Sequence, residues 1–280
     1  MMEPFCYMAS IDLSNAYHTI PMHPDYTKFL KFSFENQVYR YLVLPQGFQD
    51  STRIFVKILK PVLSMLRANN LLSSSYIDEI YLQGSSYQNC MNNVLITKQI
   101  LLKLGFELSD KSVYQPTQSL AHLGFILDSR VMKVFLGKDK KDIINDMVDK
   151  ALKQPVMTVR TLTKIIGTLV ACFPVMEYGQ PFYRKLEFIK IEALKVKYDY
   201  EQNITLTDQS KEELKWWTTE GINCGRHISH GNADEIIVTD ASGHDWGAVY
   251  KGKHTQGLWT HSEAKKHINV LEMRAGLIGI

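Results

Sequence analysis

Apolar positions change their period twice along the chain. From Tyr7 to about residue 130, short β-prone runs alternate with helical stretches. "YMASIDLSNAYHTIPM" reads as a strand that breaks into a turn, and "KFLKFSF" and "QVYRYLVL" as a hairpin pair around "ENQ". "STRIFVKILKPVLSMLRANN" sets Phe55, Leu59 and Leu63 four apart, a helical face, with Pro61 as an expected kink. "CMNNVLITKQILLKLG" predicts a second helix ending at Gly105. From about 131 to 225 the pattern is mostly helical. "DKKDIINDMVDKALKQ" puts Ile143 or Ile144, Met147 and Ala151 on one stripe, and "TVRTLTKIIGTLVACF" begins at a capping Thr158. "TDQSKEELKWWTTEG" predicts a third helix carrying Trp216 and Trp217. From 235 the chain turns β again, with "EIIVTDAS", "WGAVYKG" and "TQGLWTH" as strands, before "NVLEMRAGLIGI" starts a helix.

One stretch departs from this regularity. In "SSSYIDEIYLQG", Asp78 and Glu79 interrupt an apolar run that resumes at Ile80. Read locally, this is a tight hairpin whose turn takes acids because they tolerate turn geometry and water. The other reading is a pair of carboxylates held at a strand turn to bind a metal ion. Two-metal phosphoryl transfer needs carboxylates from separate strands, and magnesium needs only two or three, since it keeps several waters. Asp12 ends the β-like run of "ASIDLSNAY" and would reach Asp78 if that run paired with the hairpin.

Composition adds bounds. A chain of 280 residues with 45% hydrophobic and 22% charged content has room for about two globular domains. The net charge is +3, unevenly spread: about +1 over residues 1–130, about +5 over 131–200 and about −3 over 201–280. The basic middle segment suits a phosphate backbone or a solvated helical face. Cys6, Cys90, Cys172 and Cys224 have no paired spacing, which argues for reduced thiols and an intracellular chain, cytoplasmic or nuclear and not secreted. "CGRHISH" spaces Cys224, His227 and His230 three apart, which suits either zinc, without an evident fourth ligand, or plain loop histidines. No signal peptide or bilayer-spanning run is visible.

"SIDLSNAYHTIP", "LPQGF", "YIDEI", "DKS" and "HLGFILD" occur in the order of the palm motifs of reverse transcriptases. "LTKIIGTLVACFP", "FYRKLE", "ELKWW", "VTDASGHDWGAV" and "HINVLEMRA" resemble the thumb, connection and ribonuclease H regions of retrotransposon polyproteins, most of all the tyrosine-recombinase (DIRS-type) elements. The resemblance implies an α+β fold in three parts: a palm over 1–130, a helical thumb and connection over 131–225, and the start of a ribonuclease H-like domain over 226–280. It implies RNA-directed DNA polymerase activity with Mg²⁺, or Mn²⁺ in its place. Its partners would be an RNA or DNA template–primer and deoxynucleoside triphosphates; the oligomeric state is left open. Asp12, Asp78 and Glu79 would be the catalytic metal ligands. Tyr17 would exclude a 2′-hydroxyl, Gln46 and Gly47 would line the nucleotide pocket, and Lys111 would meet the triphosphate. His122, Leu123 and Gly124 would grip the primer end, and Asp240 and Glu272 would be ribonuclease H carboxylates.

The sequence also departs from that family. It opens just before the first palm motif, so the fingers strands are expected to be missing, and it ends inside the first ribonuclease H helix, so RNA cleavage is not expected. "LPQGF" continues as "QDSTRIF", placing Asp50 and Arg53 where the family has a small residue, proline and alanine. Glu79 stands where the family has aspartate. The extra methylene moves the carboxylate out by about one bond length, and about 1 Å of misplacement can cost on the order of 10²-fold. On this reading Glu79→Asp would raise polymerisation. The competing expectation is a catalytically impaired retroelement remnant retaining at most nucleic-acid binding.

Overall fold

The computed structural model describes residues 2–228 and 235–278. The chain divides into two compact units, 1–228 and 229–280. In the first unit the elements are β1 (Tyr7–Ser14), α1 (Pro24–Thr27), β2 (Lys31–Phe34), β3 (Gln37–Arg40), α2 (Ser51–Ala68), β4 (Ser73–Tyr76), β5 (Glu79–Gly84), α3 (Tyr87–Lys103), β6 (Glu107–Leu108) and β7 (Val113–Thr117). They continue as β8 (Ser119–His122), β9 (Phe125–Asp128), β10 (Lys133–Leu136), α4 (Lys138–Lys153), β11 (Val156–Thr158), α5 (Val159–Val170), α6 (Arg184–Val196), β12 (Asn203–Thr205), α7 (Asp208–Thr219) and β13 (Arg226–His227). The second unit holds β14 (Ile237–Ala241), β15 (Asp245–Tyr250), β16 (Lys253–Leu258) and α8 (Ile268–Ile278).

The first sheet runs β4–β5–β1–β6, with β7 also on β1, and all its pairings are antiparallel. Its two faces differ. Ala9, Ile11 and Leu13 of β1, with Ile80 and Leu82 of β5, pack with Phe55, Leu59 and Leu63 of α2 and Val94 and Leu101 of α3. Removing each large side chain of this layer from water contributes about 1.5–3 kcal/mol. The alternate positions, Met8 and Tyr81, pack instead on Leu120 of β8. Strand β8 begins the second sheet, ordered β13–β10–β9–β8. A separate apolar cluster running from Leu136 to Ile222 joins α4, α5, α6 and α7 around the fully buried Trp217.

Most predicted elements appear, with instructive differences. Helix α2 runs unbroken through Pro61. In α4 the buried stripe is Ile144, Val148 and Ala151, while Ile143 is 56% exposed. Thr158 caps α5 by accepting the Thr161 N–H, and Thr207 does the same for α7 through Ser210. The helical stretch expected from about 131 to 225 contains three short strands, β10, β11 and β12, and the β11–β12 pairing of Thr158 with Asn203 spans too much chain for local periodicity to reveal. Among the described residues no helix is long and apolar enough to cross a membrane.

A pH dependence arises at the end of β9. Asp128 accepts from Arg130 Nε at 3.0 Å and from the Arg130 backbone N–H at 3.0 Å, and these bonds hold its carboxyl below the usual range. A depressed folded value stabilises the protein when the group is ionised. That contribution is complete above about pH 4 and is lost as the pH falls through the depressed value. Asp128→Asn is expected to flatten the acid limb of a urea-stability profile measured below that pH; an unchanged limb would show that other carboxylates govern it.

Candidate functional site

The face of the first sheet opposite α2 and α3 carries Asp12 and Glu79 of the predicted residues. Asp12 lies directly across from Glu79 in the β1–β5 register, so both side chains rise from one face. The next pair is joined through the backbone, with Leu13 N–H donating to the Asp78 carbonyl at 3.1 Å. Asp12 is held from its other side as well. Its N–H donates to Ser112 Oγ at 3.0 Å, and its carbonyl accepts the Ser109 N–H at 2.8 Å. The pairing of β1 passes from β7 to β6 at this point, and the two serines fill the gap in the ladder. The loop they anchor carries Lys111, which is exposed and makes no ion pair with a described residue.

Ile77 and Asp78 form the two-residue turn between β4 and β5. Ile77 alone of the two has a positive φ, 56°. This is the first central position of a II′-type turn, where glycine is the usual residue. A β-branched residue there stores about 1–2 kcal/mol, and partial burial of Ile77 against the sheet's apolar layer offsets this. Neither the Asp12 nor the Asp78 carboxylate has a hydrogen-bond or ion-pair partner among the described residues, and both are half-buried.

Glu79 is turned elsewhere. Its Oε1 lies 2.8 Å from His122 Nδ1, an ion-pair distance without hydrogen-bond directionality, and accepts the Leu123 N–H at 3.2 Å. Among the described residues no three His, Cys, Asp or Glu side chains stand together as a metal nest. Asp12 and Asp78, on neighbouring backbone, offer hard oxygen ligands that no described residue engages. That set fits magnesium, which completes its shell with water.

Tyr17 follows β1 in a 3₁₀ turn over Ala16–Thr19. Its hydroxyl shares a 3.0 Å hydrogen bond with Thr52 Oγ1, and its ring meets Phe55 edge-on at 5.6 Å. The side chain therefore leans on the start of α2 as well as on the core. Gln46 and Gly47 occupy the exposed turn just before that helix, pinned by the 2.6 Å bond from Ser51 Oγ to the Pro45 carbonyl. Gly47 takes φ +84°, and no atom lies within 4 Å of where a Cβ would sit. Tyr17 makes no hydrogen bond to Gln46 or Gly47. Leu123 and Gly124 form the turn between β8 and β9, with φ 51° and 74°. The His122 ring packs on Tyr81 at 5.6 Å, and burial, helped by Cys6, pushes the Tyr81 phenol far above its ordinary range.

In the second unit, Asp240 of β14 pairs across from Gly247 of β15 and lines an open cleft of about 470 Å³ with Ser242, Asp245 and Gln256. Glu272 is exposed on α8 and does not line that cleft. Ala241 and Trp246 pack towards Leu271 and Ala275 of α8, and Asp240, one residue from Ala241, falls on the alternate side of its strand. Asp240 and Glu272 are thus carried by β14 and α8, two elements that pack against each other. Arg226–His227 is a strand paired to Val134 and Lys133, so His227 serves a sheet edge. His230, the third member of the zinc spacing, lies outside the described residues.

Residues 3–127 match the family described as reverse transcriptase (RNA-dependent DNA polymerase). This segment is similar to the reverse transcriptase domains carried by retroviral and retroelement Pol polyproteins. The chain is 27% identical over 165 residues to the Gag-Pol polyprotein of walleye dermal sarcoma virus, covering 58% of the chain and 9% of that protein. It is 23% identical over 276 residues to the Pol polyprotein of equine infectious anemia virus (strain Wyoming), covering 93% of the chain and 22% of that protein. The chain thus spans less than a quarter of either relative. The foamy viral protease-reverse transcriptase solved with an RNA/DNA hybrid shares the fold, with TM-score 0.66, 22% identity, and coverage of 97% of this chain and 36% of that one. The same viral protein with dsDNA gives TM-score 0.64 at 22% identity, covering 97% and 56%.

Asp12, Tyr17, Gln46, Gly47, Asp78, Glu79, Lys111, His122, Leu123 and Gly124 all fall within the matched reverse transcriptase segment. Asp240 and Glu272 fall outside it. Sequence reasoning passed over Ser109 and Ser112. Serines flanking the "DK" dipeptide carry no signal until the register shows that they complete the Asp12 ladder.

Proposed function

We propose that the chain is the polymerase portion of a retroelement reverse transcriptase, adding deoxynucleotides to a primer on an RNA or DNA template. The observation that carries this is the pair of partnerless carboxylates, Asp12 and Asp78, on adjoining backbone of the sheet face that also bears the 122–124 turn. The reaction joins the primer 3′-oxygen to the α-phosphorus of a deoxynucleoside triphosphate, breaks the bond to the β-phosphate oxygen and releases pyrophosphate. Magnesium, when bound, would lower the pKa of the attacking hydroxyl and neutralise charge on the leaving group. Asp12 and Asp78 would hold it, in a position set by the Ser109 and Ser112 clamps on Asp12.

The other residues divide the remaining work. Lys111 would face the triphosphate as a point charge, and the exposed Gln46–Gly47 turn admits a nucleotide close to the backbone. The 122–124 turn would seat the primer end. The proposed division into palm (1–130), thumb and connection (131–225) and ribonuclease H-like segment (226–280) is supported by separate apolar clusters in the three regions. The finer affiliation to DIRS-type elements rests on the order of the later motifs, and the genomic sequence flanking the coding region tests it.

Tyr17 supplies a direct check. Its ring, steadied by Thr52 and Phe55, would act as the wall against a 2′-hydroxyl. In single-nucleotide insertion assays, Tyr17→Ala is expected to improve ribonucleotide use relative to deoxynucleotide use by about 10²-fold, the scale on which a pocket rejects a misfit group. Tyr17→Phe keeps the ring and should keep the discrimination. Equal discrimination by Tyr17→Ala and the unaltered chain would remove Tyr17 from this role.

A further inference from the structure

Of the acids around the β4–β5 turn, Glu79 is the one with protein partners. Its carboxylate reaches across to the β8–β9 turn, 44 residues along the chain. That turn has a need of its own. The ladder closes at the His122–Phe125 pair, which leaves the Leu123 amide without a partner inside the hairpin. Leu123 also sits at φ 51°, a strained conformation that persists only when its surroundings fix it. Glu79 Oε1 takes the orphan amide at 3.2 Å and lies 2.8 Å from His122, whose side chain is only 11% exposed. Tyr81, two residues further along β5 on the same face, packs against the His122 ring.

We propose that Glu79 is a positioning residue, whose carboxylate fixes the 122–124 turn relative to the Asp12–Asp78 pair and so sets where a primer end meets the nucleotide. The proposal rests on the polymerase reading above. Arm length is its determinant. An aspartate would fall about 1.5 Å, one C–C bond, short of the Leu123 amide. A glutamine keeps both the reach and an acceptor oxygen. This reverses the sequence-based expectation for Glu79→Asp. A direct metal-ligand role predicts the opposite order, since aspartate keeps the charge and glutamine loses it.

The experiment compares the full chain with Glu79→Gln and Glu79→Asp in primer extension on an RNA template, alongside NMR-detected hydrogen exchange of the Leu123 amide. Glu79→Asp is expected to lower kcat/KM about 10²-fold, as a displaced constellation does, and to speed Leu123 exchange. Glu79→Gln is expected to lower kcat/KM about fivefold, the cost of exchanging a charge-assisted bond for a neutral one, and to keep Leu123 protected. Glutamine as the worse variant, or unchanged Leu123 exchange in Glu79→Asp, would overturn the proposal. Absence of extension by the unaltered chain would count against the polymerase reading by itself, and Leu123 exchange would still decide whether Glu79 holds the turn.

Discussion

Asp12→Asn is expected to lower primer extension about 10³-fold, about 4 kcal/mol of barrier, while the melting temperature moves by no more than about 2 °C. The two halves of this prediction come from different atoms of one residue. The backbone of Asp12 is built into the sheet by Leu13 N–H to Asp78, by Ser109 N–H and by Ser112 Oγ. An asparagine leaves all of these in place. The side chain makes no bond to a described residue, so removing its charge breaks nothing that holds the fold. A carboxylate without a protein partner is free to hold a bound cation. Rate measurements and thermal melts on the same preparations check both halves. Activity above about a tenth of the original would take Asp12 out of the metal set, since one lost ligand or donor in such a site costs on the order of 10²–10³.

Gly84→Ala is expected to destabilise the first unit by about 3 kcal/mol or more, at the upper end for an overpacked site. Gly84 ends β5 where the chain turns back into α3. A Cβ built there would lie 2.3 Å from the Cys90 backbone nitrogen and 2.7 Å from its Cα. Backbone in a helix cannot rotate away as a side chain can, so α3 would have to lift from the sheet. Cys90, Val94 and Leu101 of α3 complete the apolar layer behind β1 and β5. Lifting the helix would loosen the two strands that carry Asp12 and Glu79. Urea unfolding checks this; a loss below about 1 kcal/mol, an ordinary substitution, would mean that the close approach relaxes easily.

The sequence made the parts of this site readable, but only some of its joints. Asp12 and the Asp78 turn were legible because each sits beside an apolar run with a recognisable period, and motif order put them together. Thr158 as a cap and the 268–278 helix were legible for the same local reason. Glu79 was read as a displaced metal ligand, and its protein partners were not foreseen. Its partners are 43 and 44 residues away, and nothing within "YIDEI" reports a strained turn that needs an acceptor. Ser109 and Ser112 escaped for a similar reason, since their role exists only where β1 changes partners. The choice between Ile143 and Ile144 could not be made because both fit a helical stripe, and packing against α5 and α7 selects Ile144. Asp240 and Glu272 were paired by resemblance alone, since local periodicity places each only on its own element, β14 or α8.

The most direct test of the central claim is extension of a labelled DNA primer on an RNA template by the purified full chain, with the four deoxynucleoside triphosphates and added magnesium or manganese. The account predicts primer growth to the template end, in an order dictated by the template, abolished by chelation and by Asp78→Asn. A primer that stays bound and unextended with either metal, or growth that Asp78→Asn leaves unchanged, would contradict it.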